Sequence, residues 1–274
     1  MKLIRDAGNV RRYARAAGFE AYRHARPYVR RLPAFATQAA RSTSFTIALD
    51  EATTFVGFSY HRDGWNPHVE TLKSFEAEPS LTYQQSPLFR THEQFRPSNL
   101  QELLVEDATR PLRPLDSLPL DRRLFRYIWV VTPATIREAL RDPRPRGHHY
   151  FGPLTTEQGL HQFDRGLAAY RSIRRDGFRP DLHEPVRGYF LVAGTERRFV
   201  VTGGNHRLAV MRVLGHEQVT VELSRTHPAV IDRSDLERWG RHRGGIFVDD
   251  AAHVLFDKLF HENGMAKARA LGLT

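Results

Sequence analysis

The chain has 274 residues and no cysteine. That excludes disulfides, thiolate metal ligands, a thiol nucleophile and thiol redox chemistry. No apolar run approaches the roughly 18–20 residues that cross a bilayer. The N-terminal segment lacks the long apolar stretch of a secretory signal. A cytoplasmic protein is expected, with a peripheral membrane contact left open by the charge pattern.

Acidic residues are scarce in one place. Residues 1–41 hold ten of the 41 Lys and Arg and two of the 31 Asp and Glu, a net +8, whereas the remainder nets +2. The basic pI therefore describes an arm and gives little reason to read the body as a nucleic-acid binder. Within the arm, Val10, Tyr13, Ala14, Ala17, Ala21 and Tyr22 share one helical face, with Arg11, Arg12, Arg15 and Arg23 off it. Pro27 ends or kinks that helix. Three uses fit: packing on the body through the Tyr/Ala face, lying on an anionic membrane surface, or contacting nucleic-acid phosphates.

Short strands are predicted at 44–50 and 54–60, and a helix resumes after the loop "YHRDGWNPH" with Val69, Leu72 and Phe75 in step. Residues 79–123 read as a connecting arm with one short helix at "SNLQELLVED", where Ser98 and Glu102 form an imperfect capping pair. "FRYIWVVTP" (125–133) is predicted as a buried strand and "PATIREALRDP" as a short helix. Next comes a long helix from about 155, capped by Thr155 or Thr156 and ended by Gly177, with Leu160, Phe163, Leu167, Tyr170 and Ile173 as its apolar stripe. A hairpin turning near Gly194, a helix at 205–214 and a strand at "EQVTVELS" complete the regular part. The C-terminal piece reads as helix, turn, helix, with Asp249 as an N-cap.

The stretch "TGGNHRLAVMRVLG" (202–215) carries the chemistry. A strand ends in glycine and feeds a helix, whose first amides and dipole make an anion site. Gly203 and Gly204 permit close backbone approach. Asn205 is placed to cap the helix, His206 to donate to a phosphate oxygen or move a proton, and Arg207 to fork onto phosphate. Phosphate is the ligand that uses all of these. The plain alternative is a tight turn whose polar side chains bond to neighbouring backbone.

Read with its flanks, "FVVTGGNHRLAVMRVLGHEQVTVEL", preceded by "LAAYRSIRRDGF", resembles the ParB/sulfiredoxin superfamily over about 155–224, roughly a quarter of the chain. The resemblance implies an α/β (α+β) fold, with a ParB/sulfiredoxin-like nucleotide-binding core at 125–224. Around it would sit the basic arm 1–41, an N-terminal αβ elaboration and connecting arm at 42–124, and a C-terminal helical hairpin at 225–274. It also implies that Gly203, Gly204, Asn205, His206 and Arg207 grip nucleotide phosphates. Sulfiredoxin-like members need a cysteine where Asn205 stands, so that activity is excluded. Chromosome-partitioning members carry a Gly-Glu-Arg-Arg turn, bind CTP and have a DNA-reading domain, which 225–274 does not resemble. Free-serine kinases of the superfamily keep the His-Arg turn and use a Glu near the start of the preceding helix as base. Glu157 occupies that place, and Asp164 is a second candidate. The Asp that these kinases carry before the turn is Gly203 here.

The leading expectation is therefore phosphoryl transfer from ATP, ADP or CTP with Mg²⁺ to a small hydroxyl-bearing acceptor, an amino acid or a sugar, with Glu157 and His206 catalytic. A membrane-surface substrate, as in envelope polysaccharide assembly, suits the basic arm. The rivals are a nucleotide-gated module that binds DNA or a protein partner, and a nuclease, which would need metal-binding carboxylates beside His206. In "YHRDGWNPH", His61, Arg62 and Trp65 are candidate acceptor contacts. His61 and His68 lack a third partner, so no metal set is expected there. "GHHYFG" (147–152) reads as a loop beside the nucleotide or as plain connection.

Overall fold

A computed structural model describes residues 44–105, 109–141, 147–179, 184–237, 247 and 250–274. The basic arm and Asp249 lie outside the described residues. The long β-hairpin organises the rest. Strand β3 (Val186–Ala193) turns at Gly194 into β4 (Glu196–Gly203). The alternation of "YFLV" and "RFVV" makes both strands two-faced. Four further strands complete a six-stranded mixed sheet: β1 (Ser44–Ala48), β2 (Ala52–Thr54), β5 (Gln218–Leu223) and β6 (Val230–Asp232). The order is β1-β5-β3-β4-β2, and β6 continues beside β3 beyond the end of β5. β2 runs parallel to β4, and β1 antiparallel to β5. The N-terminal segment thus supplies two strands to the sheet itself.

Each face of the sheet buries a core. Phe190, Val192, Phe199 and Val201 pack under α1 (Pro67–Ala77), α6 (Thr156–Asp176) and α7 (Asn205–Val213). On the other face, Tyr189, Leu191 and Val200 meet α8 (Ala251–His261) and the chain from α3 (Leu100–Leu104) to Val131. The remaining helices are α2 (Pro87–Gln94), α4 (Arg122–Phe125), α5 (Pro133–Arg141) and α9 (Met265–Ala270). The described residues therefore form a mixed α/β fold of the α+β kind. Among them, no helix is long and apolar enough to cross a membrane.

Several local expectations need correction. Residues 54–60 are not a strand: after Thr54 the chain turns through Gly57 (φ 82°), and Phe58 N bonds back to Thr54 Oγ1. Residues 125–133 are not a strand either. Asp121 caps α4, and Ile128–Val130 form a single tight turn, so Ile128 and Trp129 are buried without sheet pairing. The apolar run signalled burial, and burial by helices satisfied it. The arm 79–123 contains the unforeseen α2, started by Pro87 after the Ser86 cap. Leu160, placed in the stripe of α6, is exposed. The cap of α3 is Asn99, while the amide and hydroxyl of Ser98 both donate to Glu102.

Candidate functional site

The hairpin's second strand delivers the chain to α7 through Gly203 and Gly204. Gly204 is in the left-handed region (φ 93°), and a Cβ there would lie 3.0 Å from Val186. Both conformation and space therefore require glycine. Gly203 differs: its backbone is unstrained strand, and the nearest atom to a Cβ would be that of Arg187, at 4.0 Å. Nothing within the chain demands glycine at 203, and the space over it is open.

Gly204, not Asn205, is the N-cap of α7, and no side chain caps the helix. The first bond of the helix runs from Leu208 N to Gly204 O, so the amides of Asn205, His206 and Arg207 precede the ladder. Asn205 turns inward instead. Its Oδ1 accepts from Tyr60 Oη (3.0 Å), which also lies 3.0 Å from Tyr150 Oη. A side chain that can reach a buried donor has no need to serve as cap.

Guanidinium groups gather around the uncapped turn. Arg187 pairs in register with Gly203 across the hairpin and reaches Glu222 at 3.4 Å. Arg126 donates to Thr202 O (3.4 Å). Arg207 folds back to Pro185 O (3.4 Å), and its Nε is buried without a partner. Burial lowers the Arg207 pKa; Glu184 opposes this, and Arg187 and Arg165 add to it. The start of α7 has no side-chain cap and several guanidiniums lie near the same turn, an arrangement that can attract an anion.

The ring of His206 lies behind this turn. It is 9% exposed and packs against α6 at Gly166, where even a Cβ would be 3.7 Å from Cδ2. Its ring centre is 4.6 Å from that of His68 and 5.8 Å from that of His149. Burial, with Arg165, Arg207 and His161, holds His206 neutral with a pKa of about 4. Burial likewise lowers His68 and His149 far below the usual range, His92 to about 4 and His148 to about 3. A neutral ring that deep in the protein is poorly placed to touch a phosphate at the mouth of the helix.

The other sequence candidates separate. Glu157 is exposed in the first turn of α6. At 100° per residue it lies about 180° around the helix from Gly166, and Asp164 lies about 160° away. Neither shares the face that meets His206. From "YHRDGWNPH", Arg62 pairs with Asp50 at the surface, His61 lies 3.9 Å from the same carboxylate, and Trp65 packs on Phe58 in the other core. Tyr60 and His68, from the ends of that stretch, are the residues that reach the turn. Spacing held a signal for His68: it stands in step with Thr71, Leu72 and Phe75 on the buried face of α1. No local signal announced Tyr60 or Tyr150, because their positions depend on packing between distant segments.

Among the described residues, no group of three or more His, Asp or Glu stands ready to hold a metal ion. No protein-family model, no curated protein and no solved structure matches this chain.

Proposed function

We propose that the turn 203–207 binds the phosphates of a nucleotide, and that the protein transfers a phosphoryl group from it to a small hydroxyl-bearing acceptor. The observation that carries the binding step is the uncapped start of α7 beneath the open Gly203, flanked by Arg126, Arg187 and Arg207. The resemblance of 155–224 to the ParB/sulfiredoxin superfamily points the same way. In this reading the amides of 205–207 and the guanidiniums hold phosphate oxygens. Mg²⁺ would be carried by the nucleotide and neutralise the charge that develops on transfer. Asn205 fixes the helix start by its bond to Tyr60.

A second reading, nucleotide binding that gates contact with another macromolecule, is favoured by one observation: Glu157, the expected base, stands on the solvent side of α6. The carboxylates beside the turn are Glu184 and Glu222, each engaged with an arginine. They are the alternative bases for transfer.

One experiment separates these. The full chain is incubated with γ-labelled ATP, labelled ADP or labelled CTP and Mg²⁺, with panels of amino acids and sugars. Transfer to an acceptor, with binding weakened about 10–100-fold in Arg187→Ala and Arg207→Ala, supports the kinase reading. Label released only to water supports the gated module. If neither nucleotide nor pyrophosphate binds, the phosphate reading fails.

A further inference from the structure

Beyond the end of β5 the chain makes a short loop, 224–229, before it returns as β6. The ring of His227 in this loop stacks against Tyr127 (centres 5.0 Å apart, planes at 29°) and Tyr189 (5.3 Å, 12°). Its Nε2 lies 2.6 Å from the carbonyl oxygen of Arg126. A carbonyl only accepts, so Nε2 carries the proton and Nδ1 keeps a lone pair. Nδ1 in turn lies 2.7 Å from Ser224 Oγ and 3.2 Å from Thr226 Oγ1. Ser224 therefore donates its hydroxyl proton to the ring. A hydroxyl, a base within hydrogen-bond reach and a third group that orients the base are the parts of an activated nucleophile. His92 and Tyr83 make a similar pair (2.9 Å), but both are buried. Ser224 and His227 are each partly exposed, so a ligand can reach the hydroxyl.

Arg126 ties this pair to the turn at 203–207. Its carbonyl orients His227, and its guanidinium donates to Thr202 O (3.4 Å). At Thr202 the register of β4 on β3 slips by one residue: Arg187 faces Gly203, but Gly188 faces Val201. Such bulges re-aim side chains beside functional sites. Gly203, Arg187 and Glu222 stand in one row across β4, β3 and β5. Ser224 lies two residues beyond Glu222, with its amide donating to Gly188 O (2.6 Å). Two strand spacings across and two residues along put the α-carbons of Gly203 and Ser224 about 12 Å apart, with Arg187 between them.

The surroundings select the electrophile. Burial lowers the His227 pKa to about 4, although its hydrogen bond to the Arg126 carbonyl opposes this. The ring is a weak base. Phosphoryl transfer, with its loose transition state, asks little of a base. The guanidiniums of Arg126 and Arg187 favour an anionic reactant as well.

We propose that Ser224 accepts a phosphoryl group from a nucleotide bound at 203–207, so that the protein phosphorylates itself with His227 as the base. This rests on the phosphate reading of the turn. Ser224 Oγ forms a bond to the terminal phosphorus while the bond from that phosphorus to the bridging oxygen breaks. The electron pair of the broken bond leaves on the nucleotide, now one phosphate shorter. The serine proton passes to His227 Nδ1 and from there to water. The phosphoserine dianion is then held by the nearby arginines.

The full chain is incubated with ATP, ADP or CTP labelled in the terminal phosphate, with Mg²⁺ and no added acceptor, and quenched with acid at short and long times. Nucleotide binding is measured in parallel by equilibrium dialysis. The expected result is label on Ser224, mapped by mass spectrometry. Ser224→Ala should abolish that label and keep nucleotide affinity within about twofold. His227→Gln should slow labelling about 10–100-fold, with affinity likewise kept. Nucleotide that binds but leaves no phosphate on Ser224, or label that maps to another residue, overturns the proposal and leaves the phosphate reading standing. Absence of nucleotide binding overturns both. The mapping uses the unsubstituted chain, so it decides whether or not the variants fold.

Discussion

Helices α6 and α7 pack together and begin in opposite ways. The start of α6 is closed by its own sequence: Thr155 Oγ1 accepts from Gln158 N (3.2 Å), and Gln158 Oε1 accepts from Thr155 N (3.0 Å). The start of α7 has no such closure. Its cap is a glycine without a side chain, and its first side chain points inward to Tyr60. One helix start is closed by its own side chains, whereas the other has no side-chain cap. A stripe of residues can be amphipathic in both, so periodicity alone does not separate a structural helix from one that holds a ligand.

Acid should act hardest on the ground beneath α7. His206 and His92 have pKa values of about 4 and His148 of about 3, and burial also lowers His68 and His149 well below the usual range. Their unfolded value is near 6.5, so the unfolded chain takes up protons first as pH falls. Stability is complete above about pH 6.5 and should drop steeply down to about pH 4. Thermal unfolding across that range measures it. A flat profile would mean that the rings are not held neutral.

Gly204→Ala should be the most costly single change at the turn, by about 2–4 kcal/mol in denaturant, from the left-handed backbone and the approach to Val186. Removing the self-made cap, Thr155→Ala, should cost about 1 kcal/mol and leave nucleotide affinity unchanged. A loss of affinity there would break the contrast between the two helix starts. Gly203→Ala sharpens it: stability should move by no more than about 0.5 kcal/mol, because a Cβ at 203 meets nothing closer than 4.0 Å. Nucleotide or pyrophosphate affinity should nevertheless fall about tenfold or more, a single lost charge-assisted hydrogen bond being enough for that. The smallest effect is expected for Glu157→Gln, within about 0.5 kcal/mol in stability. Any phosphoryl transfer should keep its rate, since this side chain faces away from the His206 side of α6. A hundredfold slowing would restore Glu157 as the base.

Much of the frame was legible before folding. Thr155 and Gly177 mark the ends of α6, and Gly194 the hairpin turn. Each is a local matter of capping or backbone freedom, which the sequence states directly. The strand–glycine–helix junction at the start of α7 was legible for the same reason. What misled was the apolar run 125–133, because burial by helices and burial in a sheet ask for the same residues. Likewise "YHRDGWNPH" promised polar contacts but could not say which of its nine residues would face inward.

The sequence by itself determined the strand–glycine–helix junction with Arg207 on it, since backbone conformation is fixed by near neighbours; Arg126 and Arg187 were brought there by folding. The tertiary structure alone decided the rest. Packing α1 and α6 onto α7 buried His206 behind the turn, brought His68 and His149 to it from 138 and 57 residues away, and kept Glu157 at the surface. Those outcomes depend on which helix faces meet, and only the close-packed interior fixes that.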